Sequence, residues 1–210
     1  INPHFLYNTL DIVRWQVMAQ ENGEGKASRM IDSLSRLLRL GSRRSSGIVP
    51  FQEEIEHVKA YIEVLQFDLD FILDVDFQTD DSMMEYEIPK FTLQPLAENS
   101  VLHGFAGNKK HGIIRIRAYR RDNDFTIEVM DNGHGISPER LDSLKEEIRS
   151  NHPASGGIGL RNVNARLRLY YGEQYGLDLE SHPGEYTRVI LRLPVTKQED
   201  AVLRQTCRIS

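Results

Sequence analysis

The stretch Asp131-Asn132-Gly133-His134-Gly135 decides the fold of this chain, because it pairs with a second glycine-rich turn at residues 155–160, SGGIGL. Ahead of Asp131, apolar side chains at every second position from residue 125 to residue 129 have the period of a half-buried strand. Asp131 therefore ends a strand, and the glycines after it let the backbone turn tightly beside a ligand, where a Cβ would obstruct it. A carboxylate held there is an acceptor for an exocyclic amine such as that of adenine.

The second turn leads into a helix, because Leu160, Val163, Leu167 and Leu169 follow it at roughly helical spacing. The amides of this turn lie at a helix N-terminus, where phosphate oxygens are favoured. One turn would hold a base and the other a phosphate chain. A dinucleotide fingerprint is excluded because polar loop, not a strand, precedes the turn, and no GxxxxGK[ST] P-loop occurs.

The chain has 210 residues, of which 40% are hydrophobic and 27% charged, and this composition is typical of a globular protein. A net charge of −5 gives no reason to expect nucleic acid as a partner. The lone Cys207 excludes an internal disulfide and fits a reducing compartment. No apolar run is long enough for a membrane helix, so we expect a cytoplasmic fragment, with any membrane or sensing region upstream of Ile1.

Residues 1–45 have the pattern of a helical hairpin, with two apolar stripes at helical spacing separated by a polar, glycine-containing break at residues 21–25. Two helices cannot bury both stripes alone, so we expect them to pack on a second copy as a four-helix bundle, or on the rest of the chain. Near the start, Pro3 bends the chain beside His4, as a first-turn residue or as a kink. Asn8 lies one turn after His4, on the same face.

The rest of the chain, to about residue 197, predicts strands clustered in hairpins with helices between them, and thus an α+β fold with a sheet covered by helices on one face. We place the domain boundary near residue 46 and a polar tail over residues 198–210. A helix over residues 91–104 puts Asn99 and His103 on one face and Glu98 about 100° away. The expected elements are a third helix after Pro50, a strand near residues 71–77, a hairpin over residues 114–131, helices at 138–149 and 158–171, and a last hairpin turned at Pro183-Gly184.

Four sequence boxes together resemble a known family. Glu98-Asn99 with His103-Gly104, then residues 131–135, then residues 157–160 resemble the N, G1 and G2 boxes of the gyrase, histidine-kinase and mismatch-repair (GHKL) ATPase superfamily. Residues 2–10, NPHFLYNTL, resemble the phosphoacceptor box of LytS/YesM-like bacterial sensor histidine kinases. The resemblance covers nearly the whole chain. It implies a helical dimerisation and phosphotransfer region over residues 1–45, joined to an α/β sandwich of the Bergerat type with a mixed sheet over residues 46–197.

The resemblance also implies ATP and Mg²⁺ as cofactors. By that similarity Asn99 would coordinate Mg²⁺, a role suited to an amide oxygen, and Asp131 would take the adenine amino group. A loop over residues 136–156 would form a lid, and His103 would either contact phosphate or cap the helix bend. The other residues expected to line the nucleotide are Gly133, Gly135 and Ile136 near the base, and Gly157, Gly159 and Leu160 near the phosphates.

His4 would receive the γ-phosphoryl group and pass it to an aspartate of a response regulator, within a homodimer whose full-length form is anchored in the inner membrane. An imidazole with an unperturbed pKa of about 6.5 needs little activation, and either Asn8 or Glu98 would orient it or act as its base. Gyrase-like ATPases place a water-activating glutamate where this chain has Pro95, so water attack should be slow. The alternatives are a nucleotide-binding module without phosphotransfer and an ATPase.

Overall fold

The computed structural model describes residues 3–21, 23–42, 47–105, 110–149 and 158–196. The expected polar tail over residues 198–210 and residues 150–157, which include Gly157, lie outside these ranges. Along the chain the elements are α1 (Pro3–Gln20), α2 (Lys26–Ser42), β1 (Ile48–Pro50), α3 (Phe51–Leu65), β2 (Ile72–Thr79), a 3-10 turn (Asp81–Met83), β3 (Glu87–Pro89), α4 (Leu93–Asn99), a π-helical turn (Ser100–Gly104), β4 (His111–Arg121), β5 (Asp124–Asp131), α5 (Pro138–Arg149), α6 (Ile158–Tyr171), β6 (Gly176–His182) and β7 (Tyr186–Pro194).

The helical hairpin is confirmed, and its first helix is poorly covered. Helix α1 packs on α2, and α2 packs on α3. No described side chain of α1 is buried, and Trp15 is 64% exposed. The apolar side chains of α1 are therefore open to another surface. The large exposed apolar side chains of the hairpin are Leu6, Ile12, Val13, Trp15 and Met30.

Five strands form a mixed sheet in the order β2-β4-β5-β7-β6. Strands β2 and β4 are parallel, and the other neighbours are antiparallel. Strand β5 is thus the central strand, and it ends at Asp131. Alternate residues of the strands pack under helices α3 to α6 in one core, which includes Ile116 of β4, Ile127 of β5 and Leu191 of β7. The predicted α+β class with helices on one face is confirmed.

The opposite face of the sheet is polar and carries cross-strand pairs. Arg115 of β4 pairs with Asp76 of β2, and Arg188 of β7 pairs with Glu180 of β6. The Tyr119 hydroxyl donates to Glu128 at 2.9 Å. This alternation between a buried apolar face and a charged open face is the antiparallel pattern seen in the sequence.

Two local features differ from the sequence expectations. Strands β1 and β3 form a small antiparallel sheet that was not predicted, because three residues each, ending in Pro50 and Pro89, are too few to show alternation. The helix expected over residues 91–104 begins at Leu93 and changes to a π-helical turn at Ser100. The expected domain boundary near residue 46 falls among residues outside the described ranges and stays a prediction.

Candidate functional site

The carboxylate of Asp131 lies at the end of the central strand and is only 2% exposed. Its Oδ1 accepts a hydrogen bond from the backbone N–H of Gly133 at 2.9 Å, and its Oδ2 accepts one from the Ser100 hydroxyl at 2.9 Å. A buried carboxylate is costly unless it is hydrogen-bonded, and these two donors offset part of that cost. Asp131 is therefore held in one orientation at the edge of the core.

Two glycines leave room beside this carboxylate. A Cβ on Gly133 would lie 2.3 Å from the carbonyl oxygen of Gly104 and 2.6 Å from Asp131 Oδ1, and a Cβ on Gly104 would lie 2.8 Å from the same Oδ1. The N–H of His134 donates to the Gly104 carbonyl at 3.0 Å, which joins the two segments. The structure thus brings the predicted His103-Gly104 and Asp131–Gly135 boxes together, with a close approach that only glycine allows.

The far side of the turn is fixed to the β6–β7 hairpin. Gly135 has a φ of +67°, and a Cβ there would lie 2.1 Å from the carbonyl oxygen of His182. The N–H of Gly184 donates to the His134 carbonyl at 2.7 Å, and the N–H of Ile136 donates to the Ser181 hydroxyl at 2.9 Å. The turn is therefore anchored on both sides, and Ile136 packs against the core at its end.

Helix α4 carries the predicted metal ligand. Asn99 is its last residue and is half-buried, and the next residue, Ser100, turns inward to Asp131. A π-helical turn adds an extra residue per turn and is frequent at functional sites. His103 is exposed within that turn.

Glu98 interacts electrostatically with Tyr61 of helix α3. Burial, and then the negative charge of Glu98, raise the pKa of Tyr61 in α3 to about 12. Glu98 is half-buried beside α3, as its angular offset from Asn99 on the helix implies.

The described end of the second glycine turn, Gly159 and Leu160, lies beside the same helix. Gly159, the second residue of α6, faces Pro95 of α4, and a Cβ on Gly159 would lie 3.5 Å from Pro95 Cβ. The side chain of Leu160 is only 1% exposed and belongs to the core, so a contact with a nucleotide would come from its main chain. The expected lid over residues 136–156 contains α5, which is attached to α6 through a hydrogen bond from Asn164 to the Ile148 carbonyl at 3.1 Å.

The predicted phosphoacceptor is on another part of the molecule. His4 lies in the first turn of α1, with its side chain outside the described part of the structure, and Asn8 is exposed one turn later. Helix α1 packs on α2, α2 on α3 and α3 on α4. Two helices therefore separate the helix of His4 from the helix of Asn99.

Ser100 and Glu54 contribute contacts that the sequence reasoning missed. Ser100 is four residues before Gly104, so both lie on the inward face, and that spacing is a usable signal. Glu54 interrupts the apolar stripe of α3 between Phe51 and Ile55, and a charge in such a stripe indicates a buried partner.

The residues around Asn99 suit a nucleotide with Mg²⁺ better than a metal ion bound by protein side chains alone. Among the described residues, no group of three or more His, Cys, Asp or Glu side chains could hold a metal ion. Mg²⁺ is usually bound through one or two protein oxygens together with substrate phosphates and water. A single amide oxygen at Asn99, next to a buried acceptor and a cradle that a Cβ would fill, fits that mode.

A second depression lies on the open face of the sheet and has a volume of about 530 Å³. Three of its charges pair with one another, because Arg188 lies beside both Glu180 and Glu128. Such a surface is typical of a solvated sheet face. Asp131 is on the other face of the sheet, so the two places are distinct.

The mixed sheet with helices on one face, the buried acceptor and the glycine turn beside it define an ATP-binding domain attached to a helical hairpin. Family models match both parts: "Histidine kinase" over residues 1–71, and "Histidine kinase-, DNA gyrase B-, and HSP90-like ATPase" over residues 88–197. The chain belongs to this histidine kinase-, DNA gyrase B- and HSP90-like ATPase family. The resemblance seen in the sequence is thereby confirmed.

Several curated proteins are similar to the chain. It is 36% identical over 92% of its length to the sensor histidine kinase YesM of Bacillus subtilis, and 34% identical over 86% to the sensor protein LytS of Oceanobacillus iheyensis. It is 31% identical over 92% of its length to the sensor histidine kinase BtsS of Escherichia coli. The chain spans about a third of these relatives, with 32%, 31% and 32% of their lengths covered.

Solved structures support the fold. The histidine kinase domain of the Erythrobacter litoralis EL346 blue-light activated kinase matches with a TM-score of 0.51 and 16% identity, covering 95% of this chain and 88% of that one. The catalytic domain of the histidine kinase ThkA matches with a TM-score of 0.52 and 20% identity, covering 72% and 97%. Within the described ranges, no helix combines the length and the apolar character needed to cross a membrane.

Proposed function

We propose that this chain is the catalytic core of a two-component sensor histidine kinase, an ATP-dependent protein-histidine kinase. The observation that carries the proposal is the buried, hydrogen-bonded Asp131 under two glycines, beside the helix that ends in Asn99. The His4 box on α1 supplies a nucleophile on the same chain. The relatives named as sensor histidine kinases support the same activity.

Asp131 would select adenine. Its two oxygens accept from Ser100 and Gly133, and a carboxylate oxygen can accept more than one hydrogen bond, so the exocyclic amine of the base would be a further donor. Gly133 and Gly135 would line the ring, where a side chain would obstruct it. A guanine carbonyl at the same place would face the carboxylate without a proton between them.

Asn99, Gly157 and Gly159 would hold the phosphate end. The Gly159 N–H belongs to the start of α6, where the helix dipole favours anions. The Asn99 amide oxygen would hold Mg²⁺, which would offset the negative charge of the phosphates. The residue four positions before Asn99 is Pro95, which packs against Gly159 and has no proton-accepting group, so water is not activated from that position.

Transfer would form a bond between an imidazole nitrogen of His4 and the γ-phosphorus, as the bond to the bridging oxygen breaks and ADP leaves. The imidazole then loses its other nitrogen's proton. Asn8, one turn along α1, would orient the ring, and Glu98 is the candidate acceptor on the nucleotide side. Because α1 is two helices away from α4, the hairpin and the nucleotide region must move relative to each other, or a second copy must supply His4.

A second copy also fits the exposed apolar residues of α1, which a four-helix bundle would cover. The protein would then be a homodimer that passes its phosphoryl group to an aspartate of a response regulator. The longer protein would be anchored in the inner membrane upstream of this chain, with the chain on the cytoplasmic side. The coverage of about a third of each relative supports a longer protein.

The test is incubation with γ-labelled ATP and Mg²⁺. We expect protein-bound label that is acid-labile and base-stable, lost in His4→Gln and kept in His111→Gln, a matched change at an exposed histidine paired with Asp74. Free phosphate without protein label would support an ATPase instead. Nucleotide binding with neither product would support a binding module and contradict the kinase.

A further inference from the structure

Three backbone N–H groups at the start of α4 converge on one carboxylate from another helix. Glu54 of α3 is 2% exposed. Its Oε1 accepts from the N–H of Phe91 at 2.6 Å, and its Oε2 accepts from the N–H groups of Thr92 and Leu93 at 2.8 and 3.0 Å. The first N–H groups of a helix have no partner within the helix, so Glu54 satisfies them from outside.

The helix does not cap itself. Thr92 is at the position where a hydroxyl usually caps, but its hydroxyl donates to the Pro89 carbonyl at 2.5 Å and makes no cap bond. Burial raises the pKa of Glu54, while the three N–H donors and the charge of Arg166 act in the opposite direction. Both oxygens accept hydrogen bonds, which is the pattern that the ionised form fits.

The residues before α4 are held from three further sides. Phe91 has a φ of 59°, a left-handed conformation that is unfavourable for an aromatic residue and persists only where the surroundings impose it. Its carbonyl accepts from Arg166 of α6 at 2.7 Å, and its ring packs edge-on against His57, with 5.2 Å between the ring centroids. Lys90 donates to the Gly41 carbonyl of α2 at 2.6 Å.

Helix α4 is short, so its start determines the place of its end. It has seven residues, which span roughly 10 Å between the Glu54 contacts and Asn99. Pro95, the third residue, faces Gly159 at the start of α6, where a Cβ would lie 3.5 Å from Pro95 Cβ. A shift of the capped end therefore moves the Asn99 amide and the support of the second glycine turn together.

We propose that Glu54 is a positioning residue for phosphoryl transfer, because its carboxylate caps α4 from α3 and thereby fixes Asn99 against the metal and phosphate end of the nucleotide. This inference depends on the proposed function and assigns to α3 a part in it. Glu54 touches neither substrate nor metal and acts through the α4 backbone. Its effect should fall on metal-dependent binding more than on the recognition of adenine, which Asp131 serves from β5.

The test compares ATP affinity with Mg²⁺ and in excess EDTA by calorimetric titration. In Glu54→Gln an amide NH₂ replaces one of the two accepting carboxylate oxygens and faces backbone N–H groups. We therefore expect the gain in ATP affinity due to Mg²⁺ to fall about tenfold. ATP affinity without metal should change less than twofold. Glu56→Gln, the same change at a half-exposed position of α3, should keep the gain. Arg166→Met, which releases the Phe91 carbonyl, should give a smaller loss in the same direction and carries the test if Glu54→Gln does not fold.

Two results in a folded Glu54→Gln variant would overturn the inference: an equal loss of ATP affinity with and without Mg²⁺, or no loss of ATP affinity in either condition. If wild-type protein is labelled at His4 while both variants keep the full Mg²⁺ gain, the positioning role fails and the kinase stands. If wild-type protein binds no ATP, the proposed function fails, and the inference fails with it.

Discussion

Replacing Asp131 by Asn tests the adenine site with the least disturbance of the fold. The Asn oxygen can still accept from the Gly133 N–H, and its NH₂ can donate to the Ser100 hydroxyl, so both contacts of the turn can be kept. The negative charge is lost, and an NH₂ group now faces the exocyclic amine of the base. We therefore expect weaker ATP binding in a protein that still folds.

The magnitude follows from one hydrogen bond to a charged, buried acceptor, which is worth about 1.5–3 kcal/mol. That range corresponds to roughly 10- to 100-fold in the dissociation constant. Calorimetric titration should be done with ATP and with purine riboside triphosphate, which lacks the 6-amino group. Wild-type protein should prefer ATP by about this factor, and Asp131→Asn should lose most of the preference.

Asp124→Asn supplies the matched control, because Asp124 is at the opposite end of the same strand. It should leave both affinities unchanged. Ser100→Ala should weaken ATP binding only about threefold to tenfold, since the carboxylate keeps its charge and loses one donor. Binding of ATP by Asp131→Asn within twofold of wild type, or an unchanged preference over the analogue, would refute the role of Asp131.

Two further predictions concern stability. Gly133→Ala should lower the free energy of unfolding by about 1–3 kcal/mol, because its Cβ would meet the Gly104 backbone. Gly159→Ala, the control, should change the free energy of unfolding by less than about 0.5 kcal/mol. Equal midpoints of urea unfolding for the two variants would contradict the close approach between Gly133 and Gly104. Burial, and then the charge of Lys90, lower the pKa of His57, so the unfolded state takes up a proton first and stability should fall as pH drops below about 6.5. His57→Phe should remove up to about 1.3 kcal/mol of the difference between urea unfolding at pH 7.5 and at pH 5.5, and an unchanged difference would argue against a buried neutral imidazole.

Much of the secondary structure could be predicted from local patterns of apolar residues in the sequence. Strand β5 was predictable because its apolar residues alternate up to Asp131, and α6 has the bounds that its helical spacing predicts. The mixed character of the sheet came only from the family resemblance, and the order of its strands was not predicted. Alternation tells which face of a strand is buried, but it carries no information about which strand lies beside it.

Tertiary contacts account for what the sequence did not reveal. The π-helical turn after Asn99 contains Ser100, whose hydroxyl bonds to Asp131, 31 residues further on. The role of Glu54 depends on N–H groups that follow it by 37 to 39 residues. Helical periodicity marks Glu54 as a charged residue in an apolar stripe and leaves its partners open.

The contacts on the two sides of α3 differ in kind, and this difference bears on how His4 can approach a nucleotide. Toward α4, the carboxylate of Glu54 is buried and accepts three hydrogen bonds, and removing one partner of such a group is costly. Toward α2, Arg36 and Glu63 form an ion pair whose side chains are 51% and 45% exposed, a type worth about 0–1 kcal/mol. A relative movement would have to break this pair and the hydrogen bond from Lys90 to the Gly41 carbonyl of α2, and should leave α3 with the nucleotide region, which favours a domain boundary ahead of α3.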